Sequence, residues 1–127
     1  MAFPDPYSTY RRIDAAGRTA TADGPALVQL LYTELVSALR AAGFACAKRQ
    51  FAVKSERVTR ATAILFALES GLDFEAGGEL SVTLQRLYAG ARGSIVAASI
   101  GHDPAPFHAA AAEFGEIAQA WATARAA

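Results

Sequence analysis

Apolar side chains recur every three or four residues through most of the chain, the spacing that places them on one side of an α-helix. The alternation of apolar and polar residues typical of a β-strand is absent. The pattern predicts four helices, with approximate bounds Pro25 to Ala47, Ala52 to Leu72, Gly78 to Ile100 and Pro104 to Ala124. Helices of about 20 residues are about 30 Å long. Short connections between them favour an all-α, antiparallel up-and-down four-helix bundle.

Helix boundaries are indicated by the residues that commonly start and stop helices. Asp23 is a candidate N-cap for the first helix, with Pro25 just inside it. The second helix is expected to end near Gly71, and the Gly101 to Pro104 segment should stop the third. In the fourth helix, alternating steps of three and four predict a seam buried in the bundle: Phe107, Ala110, Phe114, Ile117, Trp121 and Ala124.

Residues 1–24 form an N-terminal arm of irregular character, with two prolines, two glycines and scattered Ser and Thr. The arm also carries Phe3, Tyr7, Tyr10 and Ile13, which predicts that it packs on the bundle domain, residues 25–127. Three roles are open for it. We favour a latch over an apolar groove that a partner displaces, and the alternatives are a direct contact with that partner and a brace for the bundle.

Composition is that of one soluble domain. The 127 residues are 53% hydrophobic, with a mean hydropathy of +0.20. The longest unbroken apolar run, residues 63–68, is far shorter than the roughly 18 residues of a membrane span. Because the N-terminus also lacks the apolar core of a signal peptide and Cys46 is the only cysteine, we expect a soluble, cytoplasmic protein.

Charge is distributed unevenly along the chain. Residues 1–60 hold nine Lys or Arg against five Asp or Glu, whereas residues 61–127 hold three against seven, so net charges of +4 and −4 cancel. Oppositely charged helices facing each other would explain this, as would a basic surface for an acidic partner. The cations are too few and too little interleaved with aromatic residues to indicate nucleic-acid binding.

The segment LDFEAGGEL, residues 72–80, places three acids and a glycine pair between long helices. It does not fit a phosphate-binding loop, because it lacks the required glycine spacing and follows no strand. A calcium loop needs more ligands at fixed positions than Asp73, Glu75 and Glu79 offer. The segment is therefore interpreted as a turn between helices, with Glu79 in the first turn of the third helix complementing its dipole.

Catalytic or metal-binding groups are not indicated by the sequence. A di-metal site in a bundle needs Glu-x-x-His pairs, which the sequence lacks. His102 and His108 are interpreted as exposed or interfacial polar residues, and Cys46 as a small buried side chain. Tyr32 and Tyr88 are expected to be core residues with hydrated hydroxyl groups, or else partner contacts. The sequence thus predicts neither an enzyme nor a cofactor.

Three stretches of the chain resemble the FliS family of flagellin export chaperones. They are ALVQLLYTELVSAL (26–39), LESGLDFEAGGELSVTLQRLY (68–88) and AQAW (118–121), and the resemblance is collinear from about Tyr10 to Trp121. The Leu-Asp-x-Glu-x-Gly-Gly-Glu core corresponds to the family's turn between its second and third helices. The chain departs from the family at Thr33 and Glu34, where Asp-Gly is usual, and at 89–93, where it loses an Asp and an aromatic residue and gains two glycines.

The resemblance implies a cytosolic chaperone that binds the disordered C-terminal segment of flagellin, prevents premature polymerisation and delivers it to the export apparatus. Other flagellar export or regulatory proteins are left open as further partners, with no nucleic acid and no membrane insertion. Apolar residues beyond one stripe per helix, such as Ile64, Phe66, Leu30 and Tyr32, suit such binding. The predicted partner contacts are Tyr7, Tyr10, Ile13, Leu30, Leu31, Ile64, Leu65, Leu68, Leu84, Leu87 and Tyr88. The alternative is a structural or dimerisation module that binds no flagellin.

Overall fold

The computed structural model describes residues 24–126, and all of its long elements are helices. They are α1 (Pro25–Ala47), α2 (Phe51–Ser70), α3 (Phe74–Gly77), α4 (Glu79–Ile100) and α5 (Ala105–Ala126). The predicted all-α fold is confirmed, and the four long helices begin and end within two residues of their predicted bounds. The single helical turn α3 was not predicted, because four residues are too few to show a periodicity.

The four long helices pack as an incompletely closed bundle. Helix α1 packs closely against α2 and α5, and α2 also packs closely against α4, whereas α4 and α5 touch each other much less. Neighbouring helices are antiparallel. The end of α1 meets the start of α5 where the rings of Phe44 and His108 lie 5.2 Å apart. Tyr32, nearer the start of α1, meets Phe114 further along α5.

The core is built from large side chains of α1 and α5 and smaller contributions from α2 and α4. The predicted seam of α5 is confirmed at Phe107, Phe114, Ile117 and Trp121, which are buried, whereas Ala110 is half-buried. The side chain of Ala124 lies outside the described part of the chain. Burying a large apolar side chain stabilises the fold by about 1.5 to 3 kcal/mol, so this seam is a major source of stability.

Helix α1 is apolar enough, by length and composition, to cross a membrane over Ala26–Ala47. This finding was not expected from the short apolar runs. Half of this apolar stretch is buried inside the bundle, where Leu35, Leu39 and Ala42 are fully enclosed. The core helix of a soluble protein passes the same test, and its position in the bundle accounts for the apolar character of α1.

Both ends of α1 have defined caps. Its N-cap is Gly24, not the predicted Asp23, and Pro25 occupies the first turn as expected. At the other end, Gln50 N–H donates to Ala45 O at 2.8 Å and Arg49 N–H donates to Cys46 O at 3.1 Å. These two bonds form a Schellman motif, whose penultimate position adopts the left-handed conformation that favours glycine. Here Arg49 occupies it, with φ 58°.

The predicted turn at residues 72–80 is confirmed, and its acids and glycines have structural roles. Asp73 caps α3, its Oδ1 accepting a hydrogen bond from Ala76 N–H at 2.9 Å, while its backbone carbonyl accepts one from Ser81 Oγ at 2.8 Å. Gly78 has φ 56°, a conformation that residues with a Cβ rarely adopt. Glu79 lies in the first turn of α4, as expected.

Lys54 of α2 belongs to the positive half of the chain, yet it does not lie on the surface. The residue is buried, and its Nζ donates to the carbonyl oxygens of Ser99 at 2.9 Å and Gly101 at 3.3 Å. The ammonium group also lies 5.2 Å from the centre of the Phe51 ring. Lys54 therefore satisfies carbonyl groups at the end of α4, where a positive charge is favourable.

Candidate partner-binding groove

An open groove of about 660 Å³ runs between α4 and α5, where the bundle is least closed. Small residues on both helices leave this space between them open, and larger apolar side chains form the floor of the groove. Arg86 and Glu113 provide the charges of the groove. The lining residues are Thr83, Arg86, Leu87, Gly90, Ala91, Ser94, Ile95, Pro106, Ala109, Ala110, Glu113 and Phe114. A groove of this size and chemistry suits the apolar side chains of a peptide.

Gly90 keeps the middle of this groove open. A Cβ built at Gly90 would meet nothing within 4 Å, so no contact among residues 24–126 requires a glycine there. A glycine inside a helix costs about 0.5 to 1 kcal/mol relative to alanine. Space for the backbone of another segment to approach would explain why a glycine is tolerated at this position.

The predicted partner contacts fall into three groups. Leu87 lines the groove, Leu31 is half-buried, and Leu30 is 54% exposed on α1. Tyr7, Tyr10 and Ile13 lie outside the described residues. The other five are part of the hydrophobic core: Ile64, Leu65, Leu68, Leu84 and Tyr88. These five cannot reach a partner unless the helices separate.

Ile64 and Tyr32 were expected to lie off the buried stripes of their helices, and both expectations were wrong. Helix α2 is covered by α1 on one side and by α4 on the other, so its buried arc is wide enough to include Ile64. Helix α1 is likewise covered by two neighbours. Phe66 and Leu30, predicted by the same reasoning, are indeed exposed, at 59% and 54%.

Tyr32 and Tyr88 are core residues, as one of the two interpretations held, but their hydroxyl groups are not hydrated as expected. The two oxygens lie 2.6 Å apart and share a hydrogen bond inside the bundle. The ring of Tyr32 also lies 6.1 Å from that of Phe114. The hydrogen-bonded pair therefore joins α1 to α4 beneath the groove.

The three residues discussed as candidate catalytic or metal-binding groups, His102, His108 and Cys46, each lie in different surroundings. His102 is exposed beside Phe51, and His108 is half-buried against Gly43, whose Cβ, if present, would lie 2.6 Å from the imidazole ring. Cys46 is buried, as predicted. Within residues 24–126, no group of three or more His, Cys, Asp or Glu could hold a metal ion.

Two ion pairs join charged residues of the described helices. Arg60 lies 3.5 Å from Glu34 on the surface, and Arg92 lies 2.9 Å from Glu69 in a less exposed position. Each pair joins residues from the same half of the sequence. Neither therefore supports the hypothesis that the positive half of the chain faces the negative half, which stays a prediction.

Sequence reasoning missed most of the groove. Leu87 was the only lining residue predicted as a contact, because the predicted contacts were large apolar side chains, whereas most of the lining is small or polar. The signal that could have found the site is the small-residue composition of 89–94 and 109–112. Small side chains on two facing helices leave room between them, but the facing is known only from the fold.

Comparison with protein-family models matches residues 6–127 to the family described as flagellar protein FliS. The match covers essentially the whole chain, including all five helices of the described bundle. Comparison with curated proteins gives no match. The all-α bundle and the glycine-containing turn at residues 72–80 are consistent with this match. The chain belongs to the FliS family of flagellar export chaperones.

Proposed function

We propose that this protein is a cytosolic chaperone that binds the disordered C-terminal segment of flagellin in the groove between α4 and α5. The observation that carries the proposal is the open, largely apolar groove in a chain of this family. Binding would prevent premature polymerisation and keep flagellin in a state that the flagellar export apparatus accepts. The action is burial of surface, without chemical catalysis.

The dimensions of the groove suit a short helix. Its lining on α4 extends from Thr83 to Ile95, which is about 18 Å at 1.5 Å per residue, or about three helical turns. A segment disordered in solution would become helical as its apolar side chains enter the groove above Leu87 and Phe114. Arg86 would attract an acidic group of the segment and Glu113 a basic group. These two contacts would fix the direction in which the segment lies.

Calorimetric titration with a peptide from the C-terminus of the flagellin of the same cell tests the proposal. We expect binding at micromolar concentrations with a markedly negative heat-capacity change, because folding of the peptide is coupled to burial of apolar surface. The absence of binding to that peptide would overturn the proposed function.

Two glycine substitutions on α4 locate the binding site. Gly90→Leu places a side chain in the groove and should weaken peptide binding at least about tenfold. Gly93→Leu is the matched control, because Gly93 lies one turn away, does not line the groove and likewise has nothing within 4 Å of an added Cβ. Both variants gain helix propensity, so a loss of binding confined to Gly90→Leu cannot be attributed to unfolding.

A further inference from the structure

One end of the bundle collects exposed apolar side chains from three different helices. Phe44 lies one turn before the end of α1, Phe51 begins α2 and Ile100 ends α4. Their side chains are 60%, 40% and 81% exposed. The ring of Phe44 lies 5.2 Å from that of His108, and the ring of Phe51 lies 5.4 Å from that of His102. Large apolar side chains gathered at one place in this way indicate a surface that another partner covers.

The same end of the bundle is positively charged. Residues 44–54 and 100–108 hold Lys48, Arg49 and Lys54 against one acid, Asp103. Lys48 and Arg49 are exposed in the turn between α1 and α2, whereas Lys54 is buried just beneath, on carbonyl groups at the end of α4. The carboxylate of Asp103 already accepts a hydrogen bond from the backbone N–H of Ala105 at 2.9 Å. We call the surface formed by Phe44, Lys48, Arg49, Phe51 and Ile100 the basic tip.

The other end of the bundle is acidic. Residues 69–79 end α2, form α3 and begin α4, and they hold four acids and no Lys or Arg: Glu69, Asp73, Glu75 and Glu79. Because the helices are antiparallel, these acids lie about 30 Å from the basic tip. Part of the charge difference between the two halves of the sequence thus becomes a charge difference along the bundle axis. An anionic surface would attract one end and repel the other, which orients the whole molecule.

Arg49 is held at the tip in an unfavourable backbone conformation. Its φ of 58° is the left-handed conformation for which glycine is preferred at this position of a Schellman motif. Strained residues of this kind are concentrated at functional sites, where the side chain is used although the backbone lowers stability. The side chain kept here is a guanidinium group next to Lys48. A need for positive charge at the tip would explain why the position is not a glycine.

We propose that the basic tip docks this protein on an anionic lipid surface. Lys48 and Arg49 would lie among the lipid phosphates. Phe44, Phe51 and Ile100 would enter the boundary between the headgroups and the acyl chains. Only these side chains enter the lipid and no described helix crosses it, so the docking is peripheral and reversible.

The arrangement of the apolar side chains favours lipid over a peptide as the partner. A peptide is held in a concave site. The apolar residues of the tip line neither the groove between α4 and α5 nor the clefts that α1 forms with α2 and with α5. They extend from three separate helices instead. A fluid lipid surface can close around each of them, whereas a peptide would need a continuous channel.

Sedimentation of the full chain with phosphatidylcholine vesicles that contain roughly 30% phosphatidylglycerol tests this proposal. We expect binding that vesicles of phosphatidylcholine alone do not give. The affinity should fall at least about tenfold between about 50 and about 300 mM salt, because added ions screen the attraction. Trp121 is buried towards the acidic end, so its fluorescence should stay unchanged if the bundle docks in its folded state.

Two substitutions test the charge of the tip. Arg49→Gly should weaken vesicle binding about fivefold, since one cation near an anionic surface contributes about that factor. Glycine suits the backbone at this position, so the loss of binding cannot be attributed to unfolding. Arg60→Gln is the control, because it removes the same charge from an exposed site in the middle of α2 and should leave vesicle binding unchanged.

Three further substitutions test the apolar side chains. Phe44→Ser and Ile100→Ser should each weaken vesicle binding at least about fivefold. Phe66→Ser is the matched control, because Phe66 is as exposed as Phe44 but lies in the middle of α2. Ile100 belongs to α4, so a loss at this position also rules out insertion of the apolar helix α1 as the cause of binding.

The absence of binding to anionic vesicles overturns the proposal. Binding that the controls Arg60→Gln and Phe66→Ser weaken as much as the tip variants also overturns it. A chain that binds poly-glutamate but not vesicles would use its tip for an acidic protein segment, which is again contrary to the proposal. Flagellin-peptide binding by the same variants is measured without vesicles, so the proposed function and lipid docking can fail independently.

Discussion

The hydroxyl oxygens of Tyr32 and Tyr88 lie 2.6 Å apart and join α1 to α4 through a hydrogen bond inside the bundle. These helices are not close neighbours in the packing order, in which α2 lies between them. The bond therefore links the bundle diagonally, beneath the groove. It also explains why both tyrosines are buried although each has a polar group.

We expect Tyr32 and Tyr88 to be energetically coupled. Tyr32→Phe and Tyr88→Phe each remove one side of the hydrogen bond, and a double-mutant cycle should give a coupling free energy of about 0.5 to 1.5 kcal/mol. Chemical denaturation of the four proteins measures it. Strictly additive effects would show that the bond does not contribute to stability.

Trp121→Ala should lower the free energy of unfolding by about 3 to 5 kcal/mol, because the indole is fully buried in the α5 seam. Thr123→Ala, an exposed site two residues further on, is the control and should change it by less than about 0.5 kcal/mol. A loss below about 0.5 kcal/mol for Trp121→Ala would contradict the burial of this side chain.

Arg49→Gly should stabilise the protein by about 0.5 to 1 kcal/mol, because glycine adopts the left-handed conformation of this Schellman motif without a steric cost. The corresponding rise in melting temperature is about 2 to 5 °C. Lys48→Gly is the control, since Lys48 has an ordinary φ of −89° and should gain nothing. Equal effects at the two positions would mean that the left-handed backbone is not the cause.

The arm of residues 1–24 is predicted to act as a latch. A variant that begins at Arg11 should bind more of an apolar dye and bind the flagellin peptide with equal or higher affinity, because a closed state no longer competes. An affinity drop at preserved stability would instead indicate direct contact by Tyr7 and Tyr10. Lower stability with unchanged dye binding would indicate a brace.

Much of the fold was predictable because its determinants are local. Glycines and prolines mark the helix ends at Gly71 and Gly101, and the spacing from Phe107 to Trp121 identifies a buried seam before any neighbour is known. Gly78 could be recognised as part of a turn in the same way. Each of these features depends on a few residues that are adjacent in sequence.

The groove and its surroundings depend on which helices are neighbours, and this is not a local property. Ile64 is buried because α1 and α4 cover both sides of α2. Lys54 can be buried because carbonyl groups about 45 residues away accept hydrogen bonds from its Nζ. Likewise, Gly90 lines a groove only because α5 lies opposite it without closing the gap. Periodicity alone could not supply these arrangements.

The packing order α5, α1, α2, α4 makes α4 and α5 the two ends of a row that almost closes on itself. A segment lodged between them would touch both ends at once and close the ring. The chaperone would then gain resistance to unfolding from its own cargo. For a ligand at a hundredfold excess over its dissociation constant, that gain is about 2.7 kcal/mol, so the loaded chaperone should outlast the empty one when both are exposed to heat or protease.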